Sequence, residues 1–143
     1  TGLCGQALRE RGLDHIDATD ISPEMLEVAK NKGIYHTLIE GDILAGLDVE
    51  TGTYAGLVSS GTFTHGHVGP EALDELLRLV RSGGWIVISI HREHFTAHGF
   101  AAKFETLDTS ITDLELRELP IYDASGLGTH ADDTGFVALF RKA

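Results

Sequence analysis

Thr1-Gly2-Leu3-Cys4-Gly5-Gln6-Ala7-Leu8 opens the chain with glycines that run directly into a helical pattern, and the reading of this stretch decides the fold. Leu3 to Arg11 reads as a helix that Gly12 ends. The apolar-polar stretch Asp14-His15-Ile16-Asp17-Ala18-Thr19 then leads to Asp20 at a strand end. Gly2 lets backbone approach a ligand closely, and a helix N-terminus offers N–H donors. An acid at the end of the next strand, about 20 residues after the glycines, suits ribose hydroxyls. Loop, helix, strand and acid together point to half of a dinucleotide-type or adenosyl-type site. A turn with no ligand remains the plainer reading of the glycines alone. In this architecture a central strand precedes the glycines, and it is expected to lie before Thr1, outside this sequence.

Outward from that stretch, strand-like and helix-like segments alternate. Ser22-Pro23-Glu24 starts a second helix, with Ser at the cap and Pro at the first helical position; Met25, Leu26 and Ala29 form its apolar face and Gly33 stops it. Ile34 to Ile39 reads as a strand ending at Glu40-Gly41-Asp42, and Tyr54 to Ser59 as another, followed by a loop from Gly61 to Gly69. Pro70 opens an amphipathic helix with Leu73, Leu76, Leu77 and Val80 on one face, closed by Gly83-Gly84. The run Trp85-Ile86-Val87-Ile88-Ser89-Ile90 is continuous, as a strand buried on both faces requires. Two weaker strands, near Asp113 to Ile121 and Gly135 to Arg141, read as an antiparallel hairpin on one edge. The expected fold is α/β and Rossmann-like: a doubly wound, mostly parallel sheet with an antiparallel C-terminal hairpin and its first strand missing from this chain. Residues 1–143 are expected to form a single (partial) domain.

Composition removes whole classes of function. Eleven Lys and Arg against 22 Asp and Glu give a net charge of −11, with the basic residues scattered. Binding to nucleic acid or to an anionic membrane needs the opposite pattern, so neither partner is expected. Apolar residues make up 42% and aromatics 7%, the balance of an ordinary globular protein. Cys4 is the single cysteine, which excludes an internal disulfide and favours a reducing, cytoplasmic setting. No apolar run is long enough for a membrane span.

Taken together, Thr1-Gly2-Leu3, Asp20-Ile21-Ser22-Pro23-Glu24-Met25-Leu26, Gly41-Asp42-Ile43 and Arg81-Ser82-Gly83-Gly84-Trp85 resemble the motifs of class I S-adenosylmethionine-dependent methyltransferases, in the family's order and over nearly the whole chain. Lys32-Gly33-Ile34-Tyr35 and Ser60-Gly61-Thr62-Phe63-Thr64-His65-Gly66-His67-Val68-Gly69-Pro70 are similar to small methyltransferases like the Williams–Beuren-region methyltransferase-like protein. The family usually has Pro-Gly-Gly where this chain has Ser82-Gly83-Gly84, and often an acid where Ala55 follows Tyr54.

The resemblance implies a cofactor, S-adenosylmethionine, and a role for each matched position. Gly2 and Leu3 would close the glycine loop on the cofactor, Asp20 would take both ribose hydroxyls, and Ile21 and Met25 would pack on the adenine. Asp42 would accept from the adenine amino group, and the Ile43 N–H would meet a ring nitrogen. Ser59, Ser60 and Gly61 would line the methionine end. His65 and His67 would then stand beside the methyl donor, to bind or deprotonate an acceptor. The implied reaction is in-line methyl transfer to a small-molecule acceptor, accelerated mainly by proximity and alignment, so no catalytic triad is expected. With its central strand outside this sequence, the chain by itself is expected to bind the cofactor weakly.

Two other readings stay open at the level of sequence. An NAD-dependent oxidoreductase would use the same loop and acid; the short-chain dehydrogenases, however, place Lys four residues after a catalytic Tyr, and Tyr35, Tyr54 and Tyr122 are followed there by Ile39, Val58 and Gly126. A noncatalytic adenosyl-binding regulatory module is the other. Eight histidines raise the question of a metal, but one cysteine and no paired-ligand signature argue against a structural zinc site, so no metal is expected. His91, His94 and His98, at spacings that share a helix face, read as a polar surface or substrate rim. The stretch from Phe95 to Leu107 reads as a candidate lid, whose Phe95, Phe100 and Phe104 either cover a small acceptor or belong to the core.

Overall fold

Glycine and proline punctuate the chain where regular elements end, and in a computed structural model of the protein these signals resolve into helices and strands over residues 2–64, 68–120 and 134–143. The order is α1 (Leu3–Glu10), β1 (Asp17–Asp20), α2 (Pro23–Lys30), β2 (Thr37–Glu40), β3 (Tyr54–Phe63), α3 (Ala72–Leu79), β4 (Val80–His91), α4 (Arg92–Ala97), α5 (Phe100–Thr106), β5 (Ile111–Pro120) and β6 (Thr134–Lys142). The class is α/β with both parallel and antiparallel strand pairs, as the alternation of elements requires. Two compact units form, Thr1–Asp48 and Val49–Ala143. Among the described residues, no helix is long and apolar enough to cross a membrane.

In the first unit β1 and β2 pair in parallel, Asp17 opposite Thr37 through Asp20 opposite Glu40. Parallel strands need a crossover, and α2 supplies it. Its start follows the sequence signals closely: Ser22 caps the helix by accepting the Met25 N–H at 3.2 Å, and Pro23 occupies the first position, where no N–H is needed. Gly12 and Gly33, both at positive φ, end the turns that follow α1 and α2.

In the second unit the strand order is β3-β4-β6-β5. β3 and β4 are parallel; β6 lies antiparallel between β4 and β5, so the C-terminal hairpin extends the sheet through its second strand. Burial along β4 alternates instead of running continuously. Ile86, Ile88 and Ile90 are fully buried, whereas Trp85 is 42% exposed. The cause is one-sided coverage within the unit. Phe140, Ala138 and Phe136 stand opposite the three isoleucines and so share their face. Onto that face α4 and α5 bring rings: Phe100 meets Phe63 edge-on at 5.8 Å, Phe104 meets Phe140 at 5.6 Å, and Phe95 lies 4.6 Å from Phe136. On the other face the Arg141 guanidinium lies 5.2 Å over the Trp85 ring.

Two further departures have local causes. Val80, expected on the amphipathic helix, leaves it: its backbone is extended and it opens β4, opposite Tyr54. The residues from Arg81 to Gly84 then bulge out before Trp85 rejoins the ladder opposite Gly56, with Gly83 at φ 78. Within the candidate lid the core reading holds for two of the three rings, since Phe100 and Phe104 are 0% and 4% exposed.

Candidate cofactor site

The β1 and β2 strands point their carboxyl ends the same way, and each ends in acid. Asp20 closes β1; its Oδ1 accepts the Ser22 backbone N–H at 3.0 Å, so the carboxylate is oriented by the chain that turns into α2. A carboxylate has about four acceptor sites, and this bond takes one of them. Across the pair, the Gly41 N–H donates to the Asp20 carbonyl at 3.1 Å, which ties the turn after β2 to the end of β1. Asp42 follows in that turn, its Oδ1 accepting the Leu44 N–H at 2.8 Å. Leu47 packs closely on Gly41, where an added Cβ would meet the end of its side chain at 2.6 Å. Ile43 comes next, half-buried.

Beside the acids lie apolar groups that the fold leaves in solvent. Ile21 is 66% exposed and Met25 45%, the first at the end of β1 and the second in the first turn of α2. The first unit therefore gathers Asp20, Ile21, Met25, Asp42 and Ile43 at one end of its strand pair. Two acceptor-only groups beside exposed apolar side chains fit the adenosine half of S-adenosylmethionine, which offers hydroxyl and amino donors and a flat ring.

Gly2 caps α1 with left-handed backbone, φ 86, and its carbonyl accepts the Gln6 N–H at 3.0 Å. A Cβ on Gly2 would meet the Lys32 side chain at 2.8 Å. At Gly5 an added Cβ would collide with the Tyr35 hydroxyl. Lys32 and Tyr35 thus pack on the glycine turn, a contact that neither spacing nor periodicity announced. Burial pushes the Tyr35 hydroxyl pKa up, an effect that a hydrogen bond from the Gly5 backbone partly offsets. Burial likewise raises the Cys4 thiol. Leu3, by contrast, is 70% exposed.

Ser59, Ser60 and Gly61 belong to the second unit and lie inside β3, which runs past the expected end at Ser59 and takes in Gly61, expected in the loop. The ladder slips here: Ser59 pairs with Ile88 and Phe63 with Ile90, so the residues between them form a bulge. Gly61 takes φ 80 at the bulge and donates its N–H to the Ser89 hydroxyl at 3.3 Å, while the Ser59 hydroxyl donates to Thr62 Oγ1 at 2.9 Å. Bulges re-aim side chains and recur beside binding sites. His65 and His67 lie outside the described residues.

The His91–His98 group also differs from its reading as a polar face. α4 spans only Arg92–Ala97, which leaves His91 and His98 at its caps. His94 is buried, its Nε2 2.6 Å from the Val68 carbonyl and its ring against Phe100, so it anchors α4 to the preceding loop.

Residues 1–88 match the family model described as a methyltransferase domain. Among solved structures, a TehB-like SAM-dependent methyltransferase from Corynebacterium glutamicum is similar over 99% of this chain and 75% of its own, with 23% identity and a TM-score of 0.68. A putative S-adenosylmethionine-dependent methyltransferase from Listeria monocytogenes aligns over 98% and 85%, with 13% identity and a TM-score of 0.69. The N-methyltransferase NodS from Bradyrhizobium japonicum, solved with S-adenosyl-L-homocysteine, aligns over 90% and 66%, with 16% identity and a TM-score of 0.62. At these identities the structures establish a shared fold. No curated protein matches the sequence.

Proposed function

The chain belongs to the methyltransferase domain family, with S-adenosylmethionine as cofactor, and from that premise we propose that residues 1–143 act as one catalytic domain transferring methyl to a small-molecule acceptor by in-line displacement. The observation that carries the cofactor half of this reading is the placement of Asp20 at the carboxyl end of β1 and of Asp42 in the turn just after the adjacent parallel strand β2, with Ile21 and Met25 exposed at the same end. Ligands of open α/β sheets bind at that end.

In this reading Asp20 holds the ribose hydroxyls through charge-assisted bonds, Asp42 and the Ile43 N–H read the adenine edge, and Ile21 and Met25 cover its faces. Gly2 and Leu3 form the turn against the methionine and ribose parts, and Ser59, Ser60 and Gly61 line the methionine end. His65 and His67 are assigned to the acceptor, as binding groups or as proton acceptors. When bound, S-adenosylmethionine supplies an electrophilic methyl group on a positively charged sulfur. The protein's task is then alignment, which holds the acceptor atom in line and excludes water.

A small acceptor is supported by the net charge of −11, which repels the phosphate backbone of a nucleic acid. The single cysteine supports a cytoplasmic setting. Titration of the protein with S-adenosylhomocysteine and with NAD tests the cofactor reading, with binding of the first and not the second expected; the reverse result overturns it. Methyl transfer from labelled S-adenosylmethionine across a panel of small amines, alcohols, thiols and acids, with RNA and a mixed protein extract as further arms, tests the acceptor class. Label appearing only in RNA or protein overturns the small-molecule assignment.

A further inference from the structure

At the amino ends of β1 and β2, away from Asp20 and Asp42, three side chains with metal-binding atoms converge. His15 lies just before β1, Asp17 opens it, and His36 lies just before β2. Side chains two apart on an extended chain share a side, which places His15 with Asp17. The parallel register sets Asp17 opposite Thr37, and the His36 N–H donates to the Ile16 carbonyl at 2.8 Å, which brings the third residue alongside. The two imidazole rings lie 4.2 Å apart, centroid to centroid, tilted by 33°. His36 Nδ1 is 3.5 Å from Asp17 Oδ1. One ligand atom from each of the three residues falls within 4.8 Å of the other two.

From this geometry we propose that His15, Asp17 and His36 bind one Zn²⁺ ion, with water at the remaining position. Two imidazoles and one carboxylate suit a borderline cation; Ca²⁺ and Mg²⁺ demand oxygen cages, and soft ions demand thiolates. Three protein ligands leave one tetrahedral position open. Bonds of about 2.0–2.1 Å place tetrahedral ligand atoms roughly 3.4 Å apart, so the cluster must close by about an ångström. It has the freedom to do so. The Asp17 side chain is 17% exposed and held by the strand, whereas the His36 side chain is 61% exposed and His15 is also in solvent, so both rings can turn without backbone movement. The net charge of −11 raises the local concentration of cations.

The site is separate from methyl transfer. Four-residue strands at about 3.3 Å per residue put the ion roughly 10 Å from the Asp20 end of the pair. Its effect is to clasp β1 to β2, which are only four residues long each. The clustering is legible only in three dimensions, because His15 and His36 meet through strand register and not through sequence spacing.

Calorimetric titration of chelator-stripped protein with ZnCl2 tests the proposal without reference to activity. One equivalent should bind, and His15→Ala and His36→Ala should each weaken binding by at least ~tenfold. Both rings are exposed, so these variants retain the fold, which circular dichroism verifies; Asp17→Asn provides the third arm. His98→Ala, in the histidine cluster of the second unit, should leave affinity unchanged. In a histidine-selective NMR spectrum, Zn²⁺ should shift the His15 and His36 ring signals. Absence of binding at millimolar Zn²⁺, or binding that survives both His15→Ala and His36→Ala, or binding lost in His98→Ala alone, overturns the assignment.

Discussion

Asp20 stands opposite Glu40 where β1 and β2 end, and the Gly41 N–H that follows Glu40 donates to the Asp20 carbonyl at 3.1 Å. The end of one strand is thereby locked to the turn that carries Asp42. Asp20 is also fixed at its side chain, through the Ser22 N–H. Replacing Asp20 with Asn keeps one carbonyl oxygen for that bond and removes the charge. A hydrogen bond to a charged group contributes about 1.5–3 kcal/mol, so Asp20→Asn should weaken S-adenosylhomocysteine binding by roughly tenfold or more for each ribose bond lost. Calorimetry on the two proteins compares them directly; equal affinity would exclude Asp20 from the cofactor site.

Ser22 links the same junction to helix stability and to pH. Its hydroxyl oxygen accepts the Met25 N–H and its O–H donates to Glu24 at 2.8 Å. Loss of such a cap costs about 1 kcal/mol, so Ser22→Ala should lower the midpoint of thermal unfolding at neutral pH. The Glu24 carboxyl is held below its ordinary value, first by its own backbone N–H and then by the Ser22 hydroxyl. A depressed carboxyl stabilises the fold above the ordinary carboxylate range, and that contribution is lost as pH falls through the lowered value. The stability gap between Ser22→Ala and the parent should therefore narrow in acid, as read from denaturant unfolding at several pH values.

Phe100 packs edge-on against Phe63 and is completely buried. Removing a core phenylalanine costs about 3–5 kcal/mol, so Phe100→Ala should destabilise the protein globally, with Phe100→Leu intermediate. A lid residue would instead alter KM and leave the unfolding midpoint in place. Urea titration separates the two.

Gly61 adopts φ 80 in the β3 bulge, and an added Cβ would meet nothing within 4 Å. Space is therefore no obstacle, and the backbone alone sets the cost. Gly61→Ala should lose roughly 1–2 kcal/mol of stability, and a larger loss in methyl transfer than in stability would place the bulge at the methionine end of the cofactor. Unfolding and transfer rates measured on one preparation decide this.

Cys4 sits in the first turn of α1, half-buried, with its thiol pKa raised by that burial. Since the thiolate is the reactive form, iodoacetamide should modify Cys4 more slowly at neutral pH than it modifies a free cysteine peptide. The rates should converge as pH rises past the ordinary thiol range. Mass spectrometry over time provides the measurement; reaction faster than the peptide at neutral pH would show an activating environment instead.

Local chemistry made much of the fold legible. Ser22 and Pro23 start α2 where their capping geometry demands, Gly12 and Gly33 end turns at positive φ, and the β5–β6 hairpin pairs antiparallel. These signals act over one or two turns of chain, so the linear order of residues contains them. Asp20 and Asp42 were legible for the same reason, since the first is the last residue of β1 and the second lies in the turn two residues after β2.

What the sequence by itself determined, then, is the order of the strands and of the first three helices, the family through its motifs, and the acids at the ends of β1 and β2. Tertiary structure alone decided which faces are covered and which distant residues meet. It made β4 alternate, because α4 and α5 pack their rings on the isoleucine face. It turned Gly61 from a loop residue into a bulge, through a register shift against β4, and decided between lid and core for Phe100 and Phe104. It also set Lys32 and Tyr35 on the glycine turn and His15 beside His36. Burial and register depend on contacts between segments far apart along the chain, and local propensity carries no information about them.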